Sequence, residues 1–170
     1  MGSSEEYSRL LLHNLVKSER LVRIKKGFYT FSRNGNVIGF AFRPFYYEME
    51  YALTLRKIWT QQANPVIMTT SRANAGLREV MNSKVIVHRI DSHAFFGFEY
   101  LSFSGLFVPV SLPEKTLLDF LYFQVDIDPG TRQALMKESS RKVLRNFAER
   151  MGSRYRAQVD FLIDDFMEEQ

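Results

Sequence analysis

Basic side chains are concentrated at the amino-terminal end of this 170-residue chain. Residues 1–33 contain seven Lys or Arg and three Glu, whereas residues 34–170 contain sixteen residues of each sign. A compact group of cations can neutralise phosphates and release their counterions, which is the chemistry of nucleic-acid binding. The charge distribution therefore predicts DNA as the partner of this segment. The residues predicted to contact DNA are Arg9, His13, Lys17, Arg20, Arg23, Lys25 and Lys26.

A second group of residues with recognisable spacing lies in residues 108–123, where an apolar strand leads into an apolar helix. Ser111 stands three residues before Glu114, the spacing of a capping box, in which each side chain accepts a hydrogen bond from a free backbone N–H. Pro113 fits the first turn of a helix because no N–H is needed there. The sequence therefore predicts that a helix begins here. The residues assigned to this structural motif are Ser111, Pro113, Glu114, Lys115 and Asp119.

Three- and four-residue spacing divides this helix into two faces. One face is predicted to lie in the core, and it carries Glu114, Leu117, Leu118 and Leu121. The other face carries Lys115, Asp119 and Tyr122. An exposed Lys115–Asp119 pair would contribute about 0.3 kcal/mol, so Lys115→Ala would cost less than about 1 kcal/mol. The alternative is a structural clasp or a contact with a partner.

Residue types that build active sites do not occur at recognisable spacings. His13, His88 and His93 lie in three different contexts, cysteine is absent, and no glycine-rich phosphate-binding pattern occurs. Asp126 and Asp128 could ligate a metal ion, but an Asp-Pro-Gly sequence is more typical of a turn. The sequence therefore predicts no enzymatic activity, no metal site and no cofactor.

A helix and a β-hairpin are the elements predicted to position the basic residues. After Ser4, an apolar stripe at helical spacing leaves the basic side chains on the remaining surface. The stripe consists of Tyr7, Leu10, Leu11, Asn14 and Leu15. Residues 20–32 alternate apolar and basic side chains around Gly27, a pattern typical of a hairpin. A helix followed by a basic hairpin indicates the recognition helix and wing of a winged helix-turn-helix. The alternative is a surface hairpin whose lysines are only solvated.

The remaining sequence predicts a mixed sheet with helices before, within and after it. The overall prediction is an α+β fold with a short winged-helix-like unit at 1–43, a larger domain at 44–170 and a carboxy-terminal helical hairpin. Predicted strands cover residues 37–42, 66–70, 84–90, 95–103 and 106–110. Predicted helices cover residues 46–59, 71–81, 131–151 and 153–167. Opposite charges in residues 132–156 and 157–170 are expected to neutralise each other.

Composition sets the broad class of protein. The chain is 45% hydrophobic with 15 Phe and 8 Tyr, which predicts a folded protein rather than a disordered one. Its apolar runs are shorter than the roughly 18 residues of a membrane span, and the first residues do not form a signal peptide. We therefore expect a cytoplasmic protein that does not interact with membranes.

The order of these features resembles the AbiEi family, the antitoxins of type IV toxin-antitoxin (abortive infection) systems. The resemblance covers most of residues 7–123. It is carried by residues 15–29, Pro44 with the following helix, two strands, and above all residues 108–119, Val-Pro-Val-Ser-Leu-Pro-Glu-Lys-Thr-Leu-Leu-Asp. The Pro-Glu-Lys-Thr-Leu-Leu-Asp segment is its most specific part.

This resemblance implies a winged helix that represses the protein's own promoter and a carboxy-terminal domain that counteracts a nucleotidyltransferase-like toxin. A homodimer is a further candidate assembly. The chain departs from the family pattern because a full winged helix has two helices before the recognition helix, and the segment before this hairpin has room for one. The alternative is therefore a protein-binding antitoxin or scaffold that does not bind DNA by itself. An enzyme with an unrecognised site is the third hypothesis.

Overall fold

The computed structural model describes residues 4–72 and 75–168, which form an α+β fold. A helix and hairpin come first, followed by a mixed sheet and then four helices. The helices are α1 (Ser4–Lys17), α2 (Met49–Arg56), α3 (Pro113–Phe123), α4 (Pro129–Glu138), α5 (Arg141–Met151) and α6 (Ser153–Glu168), with 3-10 helices at Gly35–Phe42 and Ser92–Ala94. The strands are β1 (Val22–Lys25), β2 (Phe28–Thr30), β3 (Phe45–Tyr47), β4 (Val66–Thr69), β5 (Gly76–Val80), β6 (Ser83–Arg89), β7 (Phe98–Phe103) and β8 (Leu106–Ser111).

The larger sheet has the strand order β5-β6-β4-β3-β8-β7 and separates two apolar clusters. Successive side chains of a strand point to opposite faces, so β3 contributes to both clusters. Tyr46 packs with the helices α3 to α6, whereas Phe45 and Tyr47 pack with the 3-10 helix Gly35–Phe42. The sheet is thus covered on both faces.

Several predicted elements are confirmed. The basic hairpin forms as β1 and β2, and strands occur at Val66–Thr69, Ser83–Arg89 and Leu106–Ser111. α3 begins at Pro113, and α5 and α6 pack together as the predicted helical hairpin. The division between residues 1–43 and 44–170 stays a prediction.

The predicted strand at residues 37–42 is wrong, because this segment is a 3-10 helix. Asn34 caps it by accepting a hydrogen bond from Asn36 N, and Gly39 N donates to Tyr47 Oη. Close packing of Gly39 also matters, since a Cβ there would lie 2.0 Å from the Phe45 ring. An apolar run without alternation does not distinguish a buried strand from a buried helix.

Two predicted helices also need correction. The segment 46–59 contains a helix only from Met49, because its first residues pair with β4 as part of β3. The described part of 71–81 contains strand β5, paired with β6 through a tight turn at Met81 and Asn82, and residues 73–74 lie outside the described residues. Both turn residues have positive φ, at 52° and 59°, as a type I′ hairpin requires.

The predicted helix at 131–151 is two helices, because the chain turns at Ser139 and Ser140. Ser140 caps α5 by accepting a hydrogen bond from Val143 N. The expected neutralisation of charge between the last segments is confirmed where Arg145 and Arg156 both bind Asp160, at 2.9 and 2.8 Å. Among the described residues, no helix is long and apolar enough to cross a membrane.

Candidate functional site

Four of the five residues in the apolar stripe of α1 are exposed. Tyr7, Leu10 and Leu11 are 70%, 58% and 44% exposed, and no residue of α1 is buried. The fifth member of the stripe, Leu15, is half-buried, as are Leu12 and Val16 outside the stripe. The face of α1 that contains Leu12 and Val16 therefore meets the hairpin, rather than the face that contains Tyr7, Leu10 and Leu11.

That face brings three of the predicted DNA-contacting residues together. Arg9 and His13, one turn apart on α1, line a cavity of about 200 Å³ with Arg23 of β1. Leu12, Val16 and Tyr29 complete its lining. Arg9 also binds the exposed Glu5 at 2.6 Å. Two cationic side chains and an imidazole around one small cavity form a concave site of the kind that accepts a phosphate.

The other predicted contacts do not line this cavity. Three of them are exposed and accessible to a polyanion, namely Lys17, Arg20 and Lys26. Lys25 is half-buried, because its Nζ lies 4.6 Å from the ring centre of Phe28 and 4.7 Å from that of Phe42. Lys25 therefore packs the hairpin against the 3-10 helix rather than projecting freely.

The start of α3 lies where the sequence predicts, but the expected capping box does not form. Leu112, not Ser111, precedes the helix, and it caps no N–H with its side chain. Ser111 lies in β8, where its hydroxyl is 2.7 Å from that of Thr116. Glu114 Oε1 accepts a hydrogen bond of 2.7 Å from Ser140 N. Glu114 therefore joins the start of α3 to the start of α5.

The expectation that Lys115 and Asp119 are solvated is wrong, because both side chains are fully buried. The Lys115 ammonium donates to one oxygen of Asp119, and Tyr46 Oη donates to the other at 3.0 Å. Gly97 permits this burial, since a Cβ there would lie 3.0 Å from Lys115 Cβ. The alternative prediction of a structural clasp is therefore confirmed.

The clasp continues to Glu48 and His88, which the sequence did not single out as site residues. His88 Nδ1 lies 2.8 Å from Glu48 Oε1, and Glu48 Oε2 has no hydrogen-bond partner among the described residues. Burial, and then the nearby Asp119, raise the pKa of Glu48 well above its usual range. Burial lowers the pKa of His88. These directions favour a neutral carboxyl group opposite a neutral imidazole.

The Asp119 carboxyl is subject to opposing effects. Burial raises its pKa, while the neighbouring Lys115 ammonium and the Tyr46 hydroxyl oppose that increase. Glu48, Lys115 and Asp119 have no solvent exposure, whereas the His88 side chain is 23% exposed. Such an enclosed set of groups can join β3 and β6 to α3, but a dissolved substrate does not reach it in this conformation.

One of the two candidate metal ligands, Asp128, serves a local structural purpose. Asp128 Oδ1 accepts a hydrogen bond of 3.0 Å from Thr131 N and so caps α4, which begins at Pro129; the Asp-Pro-Gly sequence is therefore the start of a helix rather than the expected turn. The hydrogen bonds from Thr131 lower the pKa of Asp128, and burial has little effect on that pKa. Within residues 4–72 and 75–168, no group of three His, Asp or Glu is placed to hold a metal ion.

A second surface was missed by the sequence interpretation. A groove of about 450 Å³ lies beside the start of β3 and is lined mainly by aromatic rings and prolines. Arg43 lies over the Phe40 ring at 4.7 Å, and Tyr100 is largely exposed. The available signal was the two-residue spacing of Phe98 and Tyr100 in the predicted strand at 95–103, which places both side chains on one face of β7.

No protein-family profile matches this chain, and no curated protein resembles it closely enough to count as a relative.

Proposed function

We propose that this protein is an antitoxin of the AbiEi type, which binds the DNA of its own promoter and counteracts a nucleotidyltransferase-like toxin in the cytoplasm. The DNA-binding part is the basic unit, defined here as residues 4–33. The observation that carries the proposal is the convergence of Arg9, His13 and Arg23 on one cavity between α1 and the hairpin.

The chemistry of this cavity suits a DNA backbone. Arg9 and Arg23 each carry a guanidinium group, which can donate two hydrogen bonds to a phosphate. Exposed Lys17, Arg20 and Lys26 extend the positive charge along the same unit. An exposed helix flanked by a hairpin can enter a groove while the hairpin holds the adjacent backbone.

The rest of the chain suits a rigid protein-binding body rather than a catalyst. Its most distinctive segment, residues 113–119, provides the buried Lys115 and Asp119, which fix α3 against the sheet. Asp119 accepts hydrogen bonds from Lys115 and from Tyr46 of β3, and these contacts hold α3 in one position against the sheet. We therefore infer that the body presents a fixed surface to the toxin and has no enzymatic activity of its own.

Salt-titrated DNA binding tests the first half of this proposal. An Arg23→Gln, Lys26→Gln variant should bind promoter and scrambled DNA more weakly, and its slope of log affinity against log salt should be lower by about 1.8. A matched variant, Lys142→Gln, Arg154→Gln, loses the same charge at exposed positions of α5 and α6 and should bind like the unmodified protein. Equal effects of the two variants would contradict a specific role of the basic unit.

Arg9 provides a finer test, because a residue that reads a base affects specificity more than overall affinity. Arg9→Gln should narrow the difference in affinity between promoter and scrambled DNA. If Arg9 contacts only phosphate, both affinities should fall by the same factor, and the salt slope should fall by about 0.9.

The exposed apolar side chains of α1 and the aromatic groove favour a second candidate function, a protein-binding antitoxin or scaffold without autonomous DNA binding. Absence of DNA binding by the unmodified protein at low salt would select this candidate. Co-expression with the product of a neighbouring nucleotidyltransferase-like gene tests the toxin in either case. Loss of toxicity is expected, and undiminished toxicity would contradict both antitoxin proposals.

A further inference from the structure

We infer that α1 is a self-association surface through which two copies of this chain pack as an antiparallel helix pair. The role of this pair, which is to present two basic units to DNA, rests on the proposed function; the pairing itself does not. The surface consists of the four exposed members of the apolar stripe, Tyr7, Leu10, Leu11 and Asn14, and is here called the α1 stripe.

The α1 stripe has the spacing of a helix interface. Its members lie three and four residues apart, so they share one side of α1, while Leu12 and Val16 on the opposite side line the basic cavity. Its three large apolar side chains are exposed in a helix that has no buried residue. Isolated helices of about 14 residues are marginal in water, so a partner on this side would stabilise α1 substantially.

Charge along α1 selects a second copy in the antiparallel orientation. Residues 5–9 contain Glu5, Glu6 and Arg9, a net charge of −1, whereas residues 17–20 contain Lys17, Glu19 and Arg20, a net charge of +1. Antiparallel packing places the acidic end of each helix beside the basic end of its partner, whereas parallel packing places like charges together. The helix is therefore complementary to itself in one orientation.

The stripe also fixes the register of the pair. A two-fold axis midway between Leu10 and Leu11 places Leu10 opposite the partner's Leu11 and Tyr7 opposite the partner's Asn14. The Tyr7 hydroxyl and the Asn14 amide can then form a hydrogen bond at the edge of the apolar contact. With a rise of about 1.5 Å per residue, Lys17 lies level with the partner's Ser4, and the two copies of Lys17 lie about 20 Å apart along the axis.

This arrangement leaves the cavity of Arg9, His13 and Arg23 free, because it lies on the other side of α1. Two such cavities related by a two-fold axis would match an inverted repeat in DNA. One short helix provides less contact than the about 800 Å² per partner of a typical stable interface. We therefore expect a weak dimer in free solution that forms more readily when two copies bind adjacent half-sites.

Sedimentation velocity of the full chain over a range of concentrations tests the surface. The unmodified protein should show concentration-dependent dimerisation, and Leu10→Glu should weaken it at least about tenfold. Since Leu10 is exposed, circular dichroism should show that Leu10→Glu keeps its fold. Phe161→Glu is the matched control, because Phe161 is 70% exposed on α6 and outside the stripe, and it should dimerise normally.

Disulfide crosslinking tests the orientation, and the cysteine-free sequence makes each introduced thiol unique. Leu10→Cys should crosslink, because its two copies lie beside the two-fold axis, whereas Lys17→Cys should not. Crosslinking of both variants would indicate a parallel pair and overturn the arrangement. A protein that is monomeric at every concentration and on inverted-repeat DNA, or whose dimer is insensitive to Leu10→Glu, would overturn the surface itself.

Failure of this inference is distinguishable from failure of the proposed function. On DNA with a single half-site, Leu10→Gln, which weakens the apolar contact without adding charge, should keep the affinity of the unmodified protein, because Leu10 does not line the basic cavity. If the basic unit does not bind DNA, every variant fails on this single half-site while the dimer in solution persists. If Leu10→Glu instead prevents binding of the toxin by a monomeric protein, the stripe belongs to the toxin and the inference is wrong.

Discussion

Two ion pairs in this protein have the same spacing along a helix and opposite surroundings. Glu5 and Arg9 lie four residues apart on α1, with side chains 73% and 76% exposed. Lys115 and Asp119 lie four residues apart on α3, and both side chains are fully buried. The spacing of charges along a sequence therefore predicts that two side chains can meet, but it does not predict whether water surrounds them.

The difference determines what each pair can do. Exposed pairs of this spacing contribute about 0.3–0.5 kcal/mol because water screens the charges. A buried pair loses hydration on both partners, so it is tolerated only when further contacts compensate. Asp119 accepts hydrogen bonds from both Lys115 and Tyr46, and the Lys115 ammonium lies 5.5 and 5.4 Å from the ring centres of Tyr46 and Phe96. The α1 pair is free to exchange partners, whereas the α3 pair is fixed.

The largest effect is expected for Lys115→Ala, which tests whether the α3 pair is buried in solution. Removal of the ammonium leaves the buried Asp119 without its counter-charge and should lower the free energy of unfolding by about 3–5 kcal/mol. The value of less than about 1 kcal/mol expected from the sequence applies only to an exposed pair. Urea unfolding followed by circular dichroism measures the change, and a loss below 1 kcal/mol would mean that the pair reaches water.

The double variant Lys115→Met, Asp119→Asn is the control for this prediction. Met fills much of the space of the Lys115 stem, and the Asn carbonyl can still accept the hydrogen bond from Tyr46. It should therefore be more stable than Lys115→Ala, because it contains no unpaired charge at these positions. A double variant less stable than Lys115→Ala would show that packing, rather than unpaired charge, dominates.

An intermediate effect is expected for Glu48→Gln, and its sign depends on pH. Since the folded pKa of Glu48 is raised, the folded protein keeps a proton that the unfolded chain loses as pH rises above the ordinary carboxyl range. Wild-type stability should therefore fall as pH rises through the raised pKa of Glu48. Gln cannot ionise, so the variant should be as stable as wild type near pH 4 and more stable at pH 7.

Urea unfolding of both proteins between these two pH values measures this difference. His88, whose pKa is lowered, contributes the opposite slope below its usual pKa of 6.5, so the difference between the two proteins near pH 7 reports Glu48 with the least contribution from His88. The other charged groups acting on Glu48 are Asp119, Lys115 and Glu50. Equal pH dependence in the two proteins would show that Glu48 is ionised in the fold and compensated by these neighbours.

The fold was predictable where a pattern was local. The hairpin at β1 and β2 has its own turn signal, and Pro113 together with the apolar periodicity defined the beginning of α3. Strand β5 was not predictable in this way, because its pairing with β6 determines its structure. Ser111 likewise has the spacing of a cap, yet its place in β8 directs its hydroxyl to Thr116.

The candidate sites were likewise predictable only where their residues are close together in the sequence. The charge count identified the basic unit, but only the fold shows that Arg9, His13 and Arg23 share a cavity while Lys25 packs against two rings. Glu48 escaped prediction because its partner His88 lies forty positions away in the sequence. Contacts between distant strands and helices leave no spacing signal in a single sequence.

The smallest effect on the free energy of unfolding is expected for Glu5→Gln. A large effect would contradict the contrast between the exposed pair of α1 and the buried pair of α3. Both partners of the α1 pair are well exposed, so the free energy of unfolding should fall by no more than about 0.5 kcal/mol. Raising the salt concentration should remove most of that difference, because exposed charges are screened over about 10 Å at 0.1 M. Urea unfolding at low and high salt measures both quantities.

A larger loss that resists salt would mean that the α1 pair is enclosed in solution, as it would be if a second copy covered more of α1 than its apolar stripe. The same variant should also bind DNA slightly more tightly, because Glu5 no longer competes with phosphate for the Arg9 guanidinium, which it binds at 2.6 Å. An exposed pair can be exchanged for a ligand in this way, since both of its partners are already hydrated. Lys115 has no such freedom, because leaving Asp119 would strand two charges in the core.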